Sequence, residues 1–426
     1  MRGRGELALL TEIRERAAHA ASRSQIGGLR LGIGDDCALV APRRGEELAI
    51  TTDLSIAGRH FRLDWHQPEA VGHRALARGL SDLAAMGARP VAAFLSLGLP
   101  RSLTLASGRR QGGLRPGSSS WVERFFDGFL ALAEAHSTPL AGGDLAESPL
   151  AVADIVLVGA VPRGRALLRS GAKPGDLLYV TGTLGGAAAG LVRLAELAGR
   201  AAESALPLKG TGSSVKDTNS SSKGRSPGLK RMSFSLKGTG FSPYINAMEQ
   251  LGTLASEGKS TGNSPANASC CGAEARPGRP NPPRIPKKLE AELAPHLYPQ
   301  PRVRQGLWLQ RHGLASAALD VSDGLSPDLA HLCQESGVAA EVDAALVPTH
   351  PAATLDQALH GGEDYELVFT APASARLPRS IAGVKITRIG RIVKLRRGQP
   401  ALTLLTSQGP QPLEPHGWEH FSSARI

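Results

Sequence analysis

Four cysteines in 426 residues, at positions 37, 270, 271 and 333, form no CxxC pair and no spacing suited to a metal. Neither a disulfide framework nor a zinc site is indicated. Long apolar runs are missing too. The longest, Ile155 to Val161 within Ala151 to Val161, falls short of the ~20 residues that span a bilayer. Met1-Arg2-Gly3-Arg4 leads into acidic, helix-like sequence instead of the apolar core of a secretory leader. A cytoplasmic location and no membrane partner are therefore expected. Aromatic residues are only 4% of the chain, and small residues dominate. The usual phosphate loop is absent as well: Gly252 to Gly258-Lys259-Ser260 has its glycines one residue too far apart and no strand before it. What is present, 41% hydrophobic residues over this length, suffices for two domains with cores of their own.

The formal net charge is +11. An excess of that size suggests an anionic partner, but its distribution argues otherwise. Residues 207–288 hold 13 Lys and Arg against four acids, a net of +9, which leaves +2 for the rest of the chain. This segment is Gly, Ser, Lys and Pro without a hydrophobic period, and Leu208-Lys209-Gly210-Thr211-Gly212 recurs as Leu236-Lys237-Gly238-Thr239-Gly240. Such a stretch buries too little apolar surface to offset the entropy of ordering, so 207–288 reads as a disordered, low-complexity insertion. Lysines among Ser and Gly with few aromatics support weak, salt-sensitive binding only, and no specific nucleic acid is expected as a partner.

On either side of the insertion, strands and helices alternate. The pattern predicts helices over Glu6–Ala18, Pro68–Met86 and a stretch carrying Trp121, Phe125, Phe129 and Leu132, with strands at Glu47–Thr52, Val91–Leu99 and Ala151–Val161. A polar stretch from Arg101 to Ser119 interrupts them. A boundary near Pro162 is followed by a strand at Leu177–Thr181 and a helix over Ala187–Ala201. Beyond the insertion come one helix from Leu289 to about His312, a strand at Ala317–Val321, a helix over Ser326–Glu335, and strands near Ala340–Val342, Tyr365–Thr370 and Ile386–Val393. This is an α/β (α+β) chain of two domains, residues 1–162 and 163–426.

Acids recur in similar settings along the chain: Gly34-Asp35-Asp36 behind Gly32, Thr51-Thr52-Asp53 after an apolar run, Ser81-Asp82, Gly142-Gly143-Asp144, Asp320-Val321-Ser322-Asp323-Gly324, and Gly361-Gly362-Glu363-Asp364-Tyr365-Glu366. Asp beside glycine marks a bend, and each group alone reads equally as an ordinary turn. Spacing does not show that they meet. If they did, carboxylates ~6 Å apart would repel by roughly 3 kcal/mol per pair at an effective dielectric near 20, so either some are protonated or cations sit among them. Oxygen donors without paired His or Cys favour a hard ion such as Mg²⁺. The glycines of Gly142-Gly143-Asp144 would let backbone amides approach phosphate oxygens.

The stretches GIGDDCALV, LAITTDLSIAGRHF, LARGLSDLAAMGARP, LAGGDLAESPL, GRALLRSGAKPGD, LDVSDGLSPDLAHL, GGEDYELVFT and HGWEHF together resemble the thiamine-monophosphate kinase family of the aminoimidazole-ribonucleotide-synthetase-like superfamily, in family order from about residue 5 to 421. The resemblance implies a two-domain fold, with an N-terminal domain that binds ATP and Mg²⁺ and pairs across a homodimer, and a C-terminal domain that closes over the nucleotide. It implies phosphoryl transfer from ATP to thiamine monophosphate with several Mg²⁺ ions. Matched motif by motif, Asp36, Thr51, Thr52, Asp53, Asp82, Asp144, Asp320 and Asp323 would be magnesium ligands. Gly143, Asp144, Arg169 and Ser322 would contact ATP, and His60, Glu363 and Trp418 the thiamine phosphate. No protein nucleophile or base is named, because the acceptor phosphate oxygen is already anionic. The Arg101–Ser119 stretch is longer than the family pattern, and the insertion lies apart from every matched motif.

Two other readings stand beside this one. A different ATP-dependent enzyme of the superfamily, phosphorylating selenide or an amidine, is the first; selenide chemistry calls for a reactive Cys in an N-terminal glycine-rich loop, whereas Cys37 follows the Asp pair. The second is an inactive core whose basic insertion binds nucleic acid.

Overall fold

The structure, a computed structural model, describes residues 12–17, 28–33, 37–104, 109–110, 113–114, 120–205, 282 and 285–417. Asp36, Trp418 and nearly all of the expected insertion lie outside the described residues. So do most of the Arg101–Ser119 stretch and, beyond the helical residues 12–17, the expected first helix.

The first sheet is built from β1 (Glu46–Ile56), β2 (Arg89–Leu99), β3 (Leu140–Glu147) and β4 (Val152–Pro162), in the order β1-β4-β2-β3. β4 runs antiparallel to both β1 and β2, and β2 pairs with β3 in parallel. One face is covered by α1 (Pro68–Ala85) and α2 (Trp121–Ala135). Proline at the first turn of α1 needs no amide partner there, and Gly87 at φ +63 follows its end. α2 opens with a capping box in which Ser120 Oγ accepts from the Glu123 amide and the Glu123 carboxylate accepts from the Ser120 amide. Its Phe125 and Phe129 are fully buried. α1 and α2 cross with glycines at the contact, since a methyl added at Gly72 would run into the Phe125 carbonyl and one at Gly128 into the Glu69 carbonyl.

A second, eight-stranded sheet begins after Pro162. Its strands are β5 (Leu177–Thr181), β6 (Ala317–Asp320), β7 (Ala339–Asp343), β8 (Leu367–Ala371), β9 (Val384–Val393), β10 (Leu402–Thr406) and β11 (Gly409–Pro412), in the order β6-β8-β5-β9-β7-β10-β11, with Ser380–Ile381 paired onto β9. All neighbours are antiparallel except β7 and β10. The chain is thus mixed α and β with largely antiparallel sheets. Further helices are α3 (Gly186–Ala205), α4 (Lys287–Leu297), α5 (Val303–His312), α6 (Leu325–Ser336) and α7 (Leu355–His360), beside single turns at Arg101–Thr104 and Ala344–Leu346. α1 is buried along most of its length, and its apolar residues share a core with Leu309 of α5, Ala318 of β6 and Leu367 and Phe369 of β8.

Several elements depart from the sequence reading. Thr51-Thr52-Asp53 does not end a strand but lies inside the eleven residues of β1. Gly142-Gly143-Asp144 is the interior of β3, not a turn; Gly143 stands at φ +147, and a methyl there would strike the Leu95 carbonyl of β2. The single helix expected from Leu289 to His312 is two, because Pro299 and Pro301 push the residues before them out of the helical region. Ordered helix starts at Lys287, just inside the expected end of the insertion. β10, β11 and the short α7 carried no clear periodicity.

Candidate active site

Within β1 side chains alternate between the two faces of the sheet. Thr51 stands opposite Leu157 and Asp53 opposite Ile155, both fully buried, so Thr51 and Asp53 face the helices. α1 supplies Ser81 and Asp82 to the same face, and β6 ends in Asp320 beside them. Thr51 Oγ1 donates to Asp82 Oδ2, and Ser81 Oγ donates to Asp320 Oδ2 at 2.6 Å. Asp82 is pushed up to about 7, by burial first and then by repulsion from Asp320 and Asp53. Asp320 is raised by burial, against the Ser81 hydrogen bond and the charge of Arg169. Burial also raises Asp53, with Asp154 adding to it, although Arg78 Nε lies 3.3 Å from its Oδ1. Arg169, exposed in the segment joining the two sheets, acts on both Asp82 and Asp320.

Past β6 the Ser322-Asp323-Gly324 loop enters α6. Asp328 caps that entry, its Oδ2 accepting from the amides of Ser322, Asp323 and Gly324 at 2.9, 3.0 and 3.2 Å. Its carboxyl sits well above the usual range because of burial, then because of Asp320 and Asp323. The Glu363 loop is stitched to the same place. Glu363 and Tyr365, both in the left-handed region at φ +68 and +51, donate their amides to Ser322 and Val321 carbonyls. Asp364 turns away to accept from Gly185 and Ala187 at the start of α3, at 2.6 and 3.0 Å, and Glu366 is bound by Arg302 and Thr181. Both acids therefore serve the fold and leave Glu363 facing the site. His60 reaches it through Arg74, whose Nη2 donates to the His60 carbonyl at 3.3 Å and to both Glu363 oxygens at 2.8 and 2.9 Å.

The structure therefore brings Thr51, Asp53, Asp82, Asp320 and Arg169 together, with Ser322 and Asp323 on the loop that follows and His60 and Glu363 beside Arg74. Thr52 and Asp144 are exposed on the opposite face of the first sheet, where Asp144, Ser96, Asp154 and Leu54 stand in one row across the strands. Gly143 is exposed beside Asp144. Among the described residues no group of three His, Cys, Asp or Glu is arranged to hold one metal ion. Sequence reading missed Arg74 and Arg78. Their signal was there: two arginines four residues apart on a helix rich in small and apolar residues, in step with Ser81 and Asp82.

Comparison with known proteins identifies the family. The family described as AIR synthase related protein, N-terminal domain, matches residues 34–161. That stretch holds the first sheet and the two helices on it, so this part of the chain is AIR-synthase-related. The thiamine-monophosphate kinase of Escherichia coli is 32% identical over 98% of this chain and 99% of its own length. The crystal structure of the Stenotrophomonas maltophilia K279a thiamine-monophosphate kinase is similar at 33% identity and a TM-score of 0.59, covering 92% of this chain and 95% of that one. A structure of AaThiL complexed with AMPPCP and TMP is 26% identical with a TM-score of 0.57, over 99% of both chains. The chain belongs to the thiamine-monophosphate kinase family.

Proposed function

We propose that this chain transfers the terminal phosphoryl group of ATP to thiamine monophosphate, giving thiamine diphosphate. The observation that carries this reading is the meeting of Thr51, Asp53, Asp82 and Asp320 from three separated stretches, with Arg169 alongside. The relatives' shared name and the AMPPCP and TMP bound to one of them support the substrates. Mg²⁺ fits the donor set, which is oxygen throughout and includes an Asp82 that burial and then its acidic neighbours push towards neutrality, a cost that a divalent cation relieves. Asp53, Asp82, Asp320 and the Thr51 hydroxyl, with Asp36 and Asp323, would share several ions, no three of the described acids surrounding a single one, and Thr52 and Asp144 would hold ions from the other face of the first sheet. Bound there, the metal would neutralise phosphate charge.

The protein's own contribution is to hold two polyanions in line, with Arg169 and Ser322 on ATP and His60, Glu363 and Trp418 on thiamine phosphate, while Gly143 and Asp144 would contact ATP from the edge strand on the other face of the first sheet. No base is needed, as the attacking oxygen is already charged. Residues 1–162 form the ATP- and metal-binding unit in this reading, and 163–426 closes over the nucleotide. Incubation with ATP, Mg²⁺ and thiamine monophosphate should yield thiamine diphosphate on chromatography. Phosphorylation of selenide or an amidine instead would favour the superfamily rival, and salt-sensitive nucleic-acid binding without turnover would favour the inactive core. No described helix is long and apolar enough to cross a membrane.

We further propose a homodimer through the helix-free face of the first sheet, which Leu29, Ala38 and Val40 cover only in part. Leu48, Ile50 and Leu54 alternate along β1 and are 41%, 62% and 44% exposed there. A second copy would cover this apolar row and bring Thr52 and Asp144 into an interface. Ile50→Glu is expected to shift the protein to monomer in analytical ultracentrifugation, and an unchanged sedimentation coefficient would count against this face.

A further inference from the structure

Arg74 is a buried cation, 5% exposed, through which separate segments of the chain meet. Besides its bonds to Glu363 and His60, its Nη1 donates to the carbonyl of His296 and, at 3.0 Å, to the same residue's Nδ1. His296 closes α4 and is itself fully buried, with its Nε2 3.0 Å from Nε2 of His66. Guanidinium can only donate, and Nη1 also lies 3.3 Å from His296 Nε2, so the neutral ring is the acceptor from Arg74. His66 Nδ1 in turn meets the backbone of Arg62, its amide at 3.1 Å and its carbonyl at 3.2 Å. A continuous line of polar contacts thus runs from Glu363 through Arg74, His296 and His66 to the backbone. Burial and the nearby Arg74 hold His66 down to about 3 and His296 well below the ordinary histidine value, so both rings are neutral as this line needs.

Arg74 and Arg78 stand one helical turn apart and divide the acids of the site between them. Arg78 pairs with Asp53, within the carboxylate group assigned to metal, and Arg74 takes both oxygens of Glu363. Glu363 keeps 20% of its side chain exposed, beside a small crevice lined by Ser55, His60, Phe61, Val71, Arg74 and Arg78.

We propose that Arg74, backed by His296 and His66, is a positioning residue that fixes the Glu363 carboxylate beside His60 so that it faces the cationic thiazolium end of thiamine phosphate. This rests on the reading of His60 and Glu363 as substrate contacts. The guanidinium reaches substrate only through the acid, while the metal-facing carboxylates have their own partners. Loss of Arg74 therefore affects one substrate and spares the other.

The test is steady-state kinetics of the full chain and its Arg74→Met, Arg74→Lys, Glu363→Gln and Arg74→Met/Glu363→Gln variants, with each substrate varied in turn. Arg74→Met should raise the KM for thiamine phosphate about tenfold and that for ATP less than about twofold. Arg74→Lys, which keeps the charge without the fork, should recover part of the loss. The double variant should be no worse than Glu363→Gln alone, because the arginine acts through the acid. A parallel rise of both KM values, or effects that multiply in the double variant, overturns the assignment. If Arg74→Met does not fold, Arg74→Lys and His296→Gln decide, and both must raise the KM for thiamine phosphate selectively. Wild-type turnover with unchanged Arg74 variants sinks this inference alone; no wild-type turnover of thiamine phosphate sinks it together with the functional reading.

Discussion

Asp82→Asn is expected to lower kcat by on the order of a thousandfold, about 4 kcal/mol of transition-state stabilisation, while making the metal-free protein more stable. The two effects share one cause. Asp82 stands in the middle of the proposed metal-binding group, accepting from Thr51 and repelled by Asp320 and Asp53. Removing its charge takes away a ligand that amide nitrogen cannot replace, and it also removes repulsion that folding otherwise has to absorb. Its folded value of about 7 lies above the ordinary 3.8, so the folded state binds the proton more tightly. Stability therefore falls as pH rises between those two values, and the deficit is complete above the upper one. In buffer with a chelator at pH 8 the variant should melt above wild type by the equivalent of about 2 kcal/mol, and the gap should narrow towards pH 5. Retention of kcat within tenfold of wild type would remove Asp82 from the site.

Gly128→Ala should destabilise the fold by about 3 kcal/mol or more in chemical denaturation. The added methyl points straight at the Glu69 carbonyl of α1, a backbone atom that cannot swing aside, and Gly72 meets the Phe125 carbonyl of α2 in the reciprocal way. The helices must separate to admit it, which unpacks Phe125 and Phe129 and shifts the helix that carries Arg74, Arg78, Ser81 and Asp82. Gly199 provides the control. It lies inside α3 with nothing within 4 Å of the new methyl, so Gly199→Ala should stabilise by about 0.5–1 kcal/mol through helix propensity alone. Equal effects at the two positions would show that close approach of α1 and α2 is not what the glycine permits.

Much of the site was legible because its residues come in local motifs. Asp53, Asp82, Asp320 and Glu363 each sit in a short signature, and those signatures also carry the family likeness. The conformations around them were less legible. Thr51-Thr52-Asp53 reads as a strand end, yet pairing with Val156 and its neighbours on β4 carries β1 on to Ile56. Gly142-Gly143 reads as a turn because glycine usually marks one, whereas here its missing side chain admits the Leu95 backbone within a sheet. Arg74 and Arg78 were passed over because an arginine on a helix is ordinarily solvated, and only the chain folded over them makes them buried partners of acids.

What the amino-acid sequence determined by itself was periodicity and local chemistry: which segments are strands or helices, where acids and glycines cluster, and that oxygen donors suit a hard cation. These depend on neighbours within a few residues. Tertiary structure alone decided which face of the first sheet each acid occupies, so that Asp53 meets Asp82 and Asp320 while Asp144 looks the other way. It also decided that Glu363 is held by an arginine nearly three hundred positions earlier in the chain. The physical reason is that alternation along a strand assigns two faces without saying which is covered, and that is set when α1 packs between the two sheets.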